Sequence, residues 1–311
     1  MHSDPGCTGD EPDGVLDPAA VRAAMLARIE PVAGVDRVVL WHARSRVLGA
    51  RQGGLPAGRR VGVADVAALA EAGCAELSVH RRPRVAVLCT GDELRPLGSL
   101  LEPGQIHDSN RYLLAGLMAG CGVDVLDAGT VADRIVALRD RLVEVATDCD
   151  AVVTTGGASA GEADLMGEAI AASGELLIRR VAMRPGRPMA FGRIDGAWVF
   201  SLAGKPSGVM AAFLCFVGDA LRRLGGERVL PAWPRLPATL AEAVTKNHRR
   251  GEFVQGILFE RNGQWLVRPS RVEGGRLCSM SAANCYIVVA PEQTRLSAGQ
   301  RVPVHFFGGR A

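Results

Sequence analysis

Two loops rich in glycine and acidic residues are the parts of this sequence best suited to chemistry. Residues 156–164 read Gly-Gly-Ala-Ser-Ala-Gly-Glu-Ala-Asp, and they lie between an apolar run that ends at Thr155 and a helical pattern that begins at Leu165. Glycines let the backbone approach a phosphate closely, while amide N–H groups and the positive end of the helix supply complementary charge. The pattern predicts an anion-binding loop, although a glycine loop alone also fits a plain tight turn.

A second loop of this kind follows another apolar run. Residues 89–93 read Cys-Thr-Gly-Asp-Glu. Ligands of open α/β sheets bind outside the carboxyl ends of the strands, so we expect both loops to open into one crevice. Carboxylates beside a phosphate need a cation, and magnesium held by one or two of them plus phosphate oxygens would satisfy both. The alternative is that at least one of Glu162 and Asp164 caps a helix. The acidic residues concerned are Asp92, Glu93, Asp133, Glu162 and Asp164.

Two further loops carry positive charge. Residues 184–188, Arg-Pro-Gly-Arg-Pro, hold the guanidiniums of Arg184 and Arg187 in a stiff turn, and arginine suits phosphates and other oxyanions. Residues 203–207, Ala-Gly-Lys-Pro-Ser, join a strand to a helix and present Lys205 to an anion. Either loop alone would fit a solvated surface turn, but four anion-suited loops in one segment favour a binding site.

The elements that must position these loops form an α/β pattern. From Arg84 to Leu224, short apolar runs bounded by glycine and aspartate alternate with helical stretches, which predicts a doubly wound, mostly parallel sheet. A short helical lead-in after Asp17 is expected to be peripheral. Pro231, Pro234 and Pro237 suggest a linker, and the short β-rich runs beyond them predict a small all-β domain. The predicted units are a flexible tail (1–14), a lead-in (15–80), an α/β core (81–226) and a C-terminal β domain (233–311).

Composition narrows the classes of function. The chain has 36 basic and 33 acidic side chains and no basic run, so we do not expect it to bind nucleic acid. No apolar stretch is long enough for a membrane helix, and the first fourteen residues lack the apolar core of a signal peptide, so we expect a cytoplasmic protein. The eight cysteines contain no Cys-x-x-Cys pair, which favours small buried side chains in a reducing compartment over zinc ligands or disulfides.

Taken in order, these segments resemble the molybdopterin molybdenumtransferase family, the relatives of the gephyrin E domain, which insert molybdate into adenylylated molybdopterin and release AMP. The matching segments are residues 82–86, 90–94, 104–111, 154–157 and 161–164. The resemblance extends from Val15 to the C-terminus, and residues 281–286 look like part of the family's C-terminal β domain. It implies a molybdopterin-binding core with molybdopterin-AMP and molybdate as substrates and Mg²⁺ as cofactor.

The resemblance also implies roles for individual residues. Asp108 and Asn110 fall in the family's Asp-Ser-Asn-Arg turn, where we expect them to brace the loop. The residues expected to act in catalysis and to bind the metal are Asp92, Glu93 and Asp164. Those expected to bind the pterin, nucleotide and phosphate groups are Thr90, Gly91, Asp133, Gly156, Gly157, Ser159, Glu162, Arg184, Arg187 and Lys205.

The sequence departs from the family in three places. Arg-Pro-Gly-Arg-Pro replaces Lys-Pro-Gly-Lys-Pro at residues 184–188, and Ala-Gly-Lys-Pro replaces Pro-Gly-Asn-Pro at 203–206. An inserted domain, which in the family supports dimerisation and covers the neighbouring subunit's site, is absent, with only residues 51–54 at the join. We therefore expect impaired molybdate insertion. A non-catalytic molybdopterin or cofactor carrier is the first alternative, and hydrolysis or adenylyl transfer on a related nucleotide is the second. A homodimer and contacts with a molybdoenzyme or another protein of the cofactor pathway stay open.

Overall fold

The first helix of the chain belongs to the main core. The structure, a computed structural model, describes residues 16–157, 164–270 and 280–308. Helix α1 (Pro18–Arg28) begins after Asp17, whose carboxylate accepts hydrogen bonds from the first free amides of the helix, and its proline has no N–H to leave unpaired. Its buried side chains, Val21 and Met25, lie in the same apolar cluster as the central sheet. The expectation that the lead-in is peripheral is therefore wrong for α1.

The rest of the lead-in forms a small unit of its own. It comprises strand β1 (Val35–Val39), a single 3₁₀ turn (Leu40–His42), helix α2 (Val63–Glu71) and strand β2 (Glu76–His80). Strands β1 and β2 pair in antiparallel fashion and cover a separate cluster of apolar side chains. That cluster consists of Ala43, Leu48, Val61, Leu69, Leu77 and Val79.

A two-residue turn lies at residues 53 and 54, within the join at which this sequence was expected to lack the family's inserted domain. Gly53 and Gly54 both have positive φ, 50° and 80°, which glycine adopts readily. On either side, Gln52 and Leu55 exchange backbone hydrogen bonds of 3.1 and 2.9 Å. The Gln52 side chain also exchanges two hydrogen bonds with the backbone of Ser78, at 2.8 and 2.7 Å, so the turn is fixed to β2.

The central unit has the predicted doubly wound topology. Its sheet has the order β6-β3-β7-β11-β10-β8, in which the first four strands are parallel and β10 runs antiparallel to both of its neighbours, β11 and β8. A π-helical segment, Phe213–Val217, joins the last two helices into one continuous helix. The elements are β3 (Arg84–Thr90), β4 (Leu94–Arg95), β5 (Ile106–His107), α3 (Asn110–Ala119), β6 (Asp124–Val131), α4 (Ile135–Asp148), β7 (Ala151–Thr155), α5 (Leu165–Ser173), β8 (Glu175–Arg180), β9 (Met183–Arg184), β10 (Pro188–Ile194), β11 (Ala197–Leu202), α6 (Pro206–Ala212) and α7 (Gly218–Leu224).

Helices cover both faces of this sheet, which explains why the central strands β7 and β11 are buried along their whole length. Alternate side chains of β7 point to opposite faces: Val152 packs with α4 and α5, whereas Val153 packs in the cluster that includes α1, α3 and α7. Among the described cysteines, those at positions 89, 121, 149, 215 and 285 are buried, as predicted, and Cys74 is partly buried, while Cys7 and Cys278 lie outside the described residues. No helix in the described part of the chain is both long and apolar enough to span a bilayer.

The C-terminal unit is a closed β barrel. Its six-stranded sheet has the order β15-β12-β18-β16-β14-β9, and β15 also pairs with β14, which closes a ring of five strands to which β9 is added beside β14. A separate pair, β13 with β17, lies beside it. The strands are β12 (Arg235–Leu240), β13 (Val244–Thr245), β14 (Gly251–Arg261), β15 (Gln264–Pro269), β16 (Cys285–Val289), β17 (Arg295–Leu296) and β18 (Arg301–Phe306).

The prediction that Pro237 belongs to a linker before the barrel is wrong, because Pro237 lies inside β12. Pro237 is paired with Pro303 of β18. Strand β12 pairs with β15 only from Thr239 onward, and β18 pairs with β16 only from Val304 onward. Each proline therefore lies outside the second ladder of its strand, where its missing N–H removes no sheet hydrogen bond.

One strand of the barrel comes from the core segment. Met183 and Arg184 of β9 pair in parallel with Gly251 and Glu252 of β14. Tyr286 of β16 is fully buried and belongs to the apolar cluster of the central sheet. The two units therefore share both a sheet and a core, while the predicted domain boundaries along the chain stay predictions.

Candidate functional site

The candidate site lies at the carboxyl edge of the parallel strands β3, β7 and β11. The sheet register places Thr155, the last residue of β7, opposite Cys89 on one side and Leu202 on the other. The loops that follow the three strands therefore leave the sheet side by side. The expectation that the loops after Thr90 and Thr155 meet at one edge agrees with this geometry.

Gly156 allows the second loop to cross directly over the first. It has φ of 93°, and a side chain there would place its Cβ 3.0 Å from the carbonyl carbon of Thr90 and closer still to the oxygen. Gly157 has φ of 62°, and its Cβ would lie 3.0 Å from Cγ2 of Thr90. The third loop lies within ordinary van der Waals contact, because a Cβ at Gly204 would lie 3.6 Å from the Cα of Gly156. The glycines at 156 and 157 therefore let the second loop pack directly against Thr90, which a larger residue would prevent.

Three predicted acidic residues lie around the first loop. Asp133 accepts a short hydrogen bond from the hydroxyl of Thr90, and its carboxylate faces Gly157. The carboxylate of Asp92 accepts a 3.4 Å hydrogen bond from the backbone N–H of Asp133. The carboxylate of Glu93 folds back over Gly91, 2.7 Å from the position that a Cβ would occupy there.

These carboxylates do not converge on a common point. Within residues 16–157, 164–270 and 280–308, no group of three or more His, Cys, Asp or Glu side chains is arranged to hold a metal ion. Two of the predicted binding residues, Ser159 and Glu162, lie outside the described residues. The magnesium site proposed from the sequence therefore stays a prediction.

Asp164 caps helix α5, as the alternative interpretation of the acidic residues allowed. Its Oδ1 accepts a 3.0 Å hydrogen bond from the backbone N–H of Gly167, and its Oδ2 accepts one of 2.8 Å from Nε of Arg179. Arg179 was not singled out from the sequence because it lies fifteen residues away along the chain. Its contribution depends on β8 lying beside α5, and no local pattern signals that.

The Asp-Ser-Asn-Arg turn braces the loops from behind, as expected. Asn110, at the start of α3, donates hydrogen bonds to the Gly204 carbonyl at 2.8 Å and to the Thr155 hydroxyl at 3.4 Å. Asp108 accepts hydrogen bonds from the backbone and side chain of Arg111, at 3.2 and 3.0 Å. Asn110 thus ties the loop after β11 to the end of β7.

Arg111 extends this brace to the neighbouring strand, a role that the sequence did not reveal. Its guanidinium donates to the carboxylate of Asp127 and, at 2.7 Å, to the hydroxyl of Thr130, both in β6. Behind the loops, burial and the Asp108 carboxylate raise the pKa of the Cys89 thiol to about 12. Cys89 is therefore protonated at neutral pH and is not a candidate nucleophile.

The two basic loops lie next to each other. A Cβ at Gly208, in the first turn of α6, would lie 3.5 Å from the Cα of Gly186, and Lys205 is exposed at the start of the same helix. The Arg184 side chain lies toward the barrel, with its Nε 3.7 Å from Oε1 of Glu252. Burial raises the pKa of Glu252, while the positive charge of Arg184 opposes that shift. Arg184 is therefore paired with an acid of the barrel, and its role toward a ligand stays a prediction.

Comparison with known proteins agrees with this geometry. Residues 86–223 match the family model of a probable molybdopterin binding domain, and residues 237–307 match the C-terminal region, domain IV, of MoeA. The fold and site thus define a protein built on a molybdopterin-binding domain. The order of the two matches follows the order of the central sheet and the barrel.

The relatives narrow this class to one family. A molybdopterin molybdenumtransferase from Haemophilus influenzae is 32% identical over 241 residues, which cover 77% of this chain and 60% of that protein. One from Nostoc sp. is 32% identical over 258 residues, which cover 80% of this chain and 59% of that protein. The chain belongs to the molybdopterin molybdenumtransferase family, and it spans about 60% of the length of these relatives.

Solved structures show the same fold. A molybdopterin biosynthesis MoeA protein from Pyrococcus horikosii superposes with a TM-score of 0.78 at 20% identity, covering 94% of this chain and 99% of that chain. A molybdenum cofactor biosynthesis protein from Pyrococcus furiosus gives a TM-score of 0.72 at 23% identity, covering 94% and 99%. The expected architecture, a mostly parallel α/β core followed by a β domain, is confirmed.

Proposed function

We propose that this protein binds molybdopterin, or its adenylylated form, at the carboxyl edge of β3, β7 and β11 and inserts molybdate into it with release of AMP. The observation that carries the proposal is the crossing of the Gly156 loop over Thr90, which brings three glycine-containing loops within van der Waals reach of one another. Such a crevice lets backbone amides approach an anionic group closely. The family membership of the chain supports molybdopterin as the compound that carries the anion.

The residues around the crevice would divide the ligand between them. The backbone N–H of Gly157 would bind the terminal phosphate, whereas that of Gly156 donates to the Leu202 carbonyl at 3.3 Å. Asp133, fixed by the Thr90 hydroxyl, would accept hydrogen bonds from N–H groups of the pterin or nucleotide. Arg187 and Lys205, in the adjacent basic loops, would offset the negative charge of phosphate and molybdate. Each group is placed by a strand end or a helix start, which limits its motion.

The described carboxylates fit magnesium poorly in the free protein. Asp164 already binds Gly167 and Arg179, and Asp92, Glu93 and Asp133 do not form a set of ligands. The proposed binding therefore relies on backbone amides and basic side chains. Magnesium at Asp92 and Glu93 stays a prediction, as do a cytoplasmic location and a homodimer.

A non-catalytic carrier is the second candidate, and the Gly53–Gly54 turn favours it. This turn closes the backbone where relatives are expected to continue into the domain that covers the neighbouring site. An uncovered crevice admits water, which weakens electrostatic stabilisation of the developing charge and loosens the reacting geometry. We therefore expect turnover, where it occurs, to be slower than in a full-length relative.

The deciding experiment incubates the purified full chain with adenylylated molybdopterin and molybdate, with and without magnesium, and measures both AMP release and molybdenum incorporation. Both products identify a transferase, whereas tight binding without either identifies a carrier. Asp133→Asn should weaken binding, and Asp140→Asn, the same change on exposed α4, should leave it unaltered. Undetectable binding at about millimolar ligand, near −4 kcal/mol, would refute both candidates.

A further inference from the structure

The carboxylate of Asp164 is held by two donors at the start of α5. The Gly167 amide binds Oδ1 at 3.0 Å, and Arg179 of β8 binds Oδ2 at 2.8 Å. Glycine at 167 is needed for this arrangement, because a Cβ there would lie 2.5 Å from Oδ2. The Asp164 side chain is only 11% exposed, so its negative charge is only weakly screened by water.

This charge lies on the helix that follows the glycine loop. A carboxylate at that position would repel a phosphate bound at Gly157 unless a cation offset it. The structure already contains such a cation in Arg179, whose guanidinium also lies 3.8 Å from Glu168 on the same helix. An arginine stays charged throughout the physiological pH range, so this counter-charge is permanent.

We propose that Arg179 is a positioning residue that supplies the counter-charge at Asp164 in place of a metal ion. The guanidinium orients the carboxylate on the helix end, neutralises it for the incoming phosphate and repels a divalent cation from the same oxygen. The proposal rests on the proposed function for the identity of the ligand. In this proposal Asp164 is a helix cap paired with an arginine, and it is not a magnesium ligand.

The test measures the dissociation constant for molybdopterin by calorimetry, with and without magnesium, on the full chain. Magnesium should change the affinity of the wild type no more than it changes the affinity of Asp164→Asn. Arg179→Gln should weaken binding about tenfold without magnesium, a loss of about 1.4 kcal/mol, and added magnesium should restore part of it. Arg180→Gln is the matched control, since it removes the same charge from the neighbouring exposed residue of β8, which points to the opposite face of the sheet. It should bind like the wild type.

A double-mutant cycle separates this role from a structural one. If Arg179 serves only to offset Asp164, then Arg179→Gln should have little effect on affinity in an Asp164→Asn background. A merely structural arginine would instead lower the melting temperature in both backgrounds without making binding depend on magnesium. The proposal is overturned if wild-type binding requires magnesium and Asp164→Asn removes that requirement, or if Arg179→Gln binds like the wild type.

A measurement on the free protein keeps the test independent of the ligand. Manganese, which accepts the same oxygen ligands as magnesium, is titrated and followed by electron paramagnetic resonance. Arg179→Gln should bind manganese several-fold more tightly than Arg180→Gln, and Asp164→Asn should abolish that gain. This result would support the proposal even if molybdopterin failed to bind, in which case only the proposed function would fall. Equal manganese affinity of the two arginine variants would overturn the proposal.

Discussion

Replacing Gly156 with alanine should both destabilise the protein and weaken ligand binding. The added Cβ would lie 3.0 Å from the carbonyl carbon of Thr90 and closer still to its oxygen. Neither partner can yield easily, because Thr90 ends β3 and the preceding residue, Cys89, is in register with Thr155 at the end of β7. The backbone at residue 156 also has φ of 93°, which L-residues rarely adopt.

The size of the effect follows from these two contributions. A left-handed conformation costs an L-residue about 1–2 kcal/mol. Forcing extra volume against fixed atoms costs about 1–3 kcal/mol more. The variant should therefore lose about 2–5 kcal/mol of unfolding free energy. For a large domain this corresponds to a fall in melting temperature of about 4–20 °C.

Thermal unfolding and calorimetric titration with molybdopterin, run in parallel, test this reasoning. Gly204→Ala is the control, because its Cβ would make an ordinary 3.6 Å contact with Gly156 and its φ is not in the left-handed region. Its stability should change by less than about 1 kcal/mol. If Gly156→Ala melted with Gly204→Ala and bound molybdopterin as tightly as the wild type, the loop crossing would not be what makes the crevice.

Three further outcomes are expected. Asn110→Ala should weaken molybdopterin binding roughly tenfold in calorimetry, since about 1 kcal/mol is lost for each hydrogen bond that ties the loops; unchanged affinity would argue against the brace. Burial, together with the positive charge of Arg235, lowers the pKa of His305 to about 4. Between about pH 6.5 and 4 this imidazole is therefore protonated only in the unfolded chain, so the free energy of unfolding should fall as the pH drops through that window. Urea unfolding at both pH values should show a smaller fall for His305→Gln, and an equal fall would contradict the assignment. Arg187→Lys combined with Lys205→Asn restores the side chains of the family pattern at two positions, and it should raise molybdenum insertion if lysine geometry limits the reaction. No change would indicate that turnover is slow because the inserted domain that covers the site is missing.

Local sequence patterns predicted the elements well because those elements depend on local periodicity. The apolar run that the sequence ends at Thr155 forms strand β7, and the glycines that follow it mark the loop that crosses Thr90. The alternation of strands and helices was enough for a doubly wound sheet. Pro237 was misread because a proline is acceptable in a strand wherever the ladder on its N–H side has ended, and only the pairing with β15 and β18 shows where that is.

Contacts between distant segments could not be predicted in this way. The partner of Asp164 is on β8, and the partner of Arg184 is Glu252 in the barrel. A carboxylate that looks like a metal ligand in sequence becomes a helix cap once an arginine from another strand reaches it. The same applies to Asn110, whose two acceptors become neighbours only when the sheet forms.

Because β9 pairs with β14, we expect the barrel and the central sheet to unfold as a single cooperative unit. Removing the barrel would leave Met183 and Arg184 without a neighbouring strand and would withdraw Tyr286, which is fully buried, from the shared core. The barrel is thus expected to melt together with the sheet in one transition. The Gly53–Gly54 turn differs from the barrel, because only two backbone hydrogen bonds, between Gln52 and Leu55, close it. A further domain could be inserted there without breaking the pairing of β1 with β2. We therefore expect this fold to tolerate the gain or loss of a domain at the Gly53–Gly54 turn, whereas loss of the barrel should destabilise the central sheet.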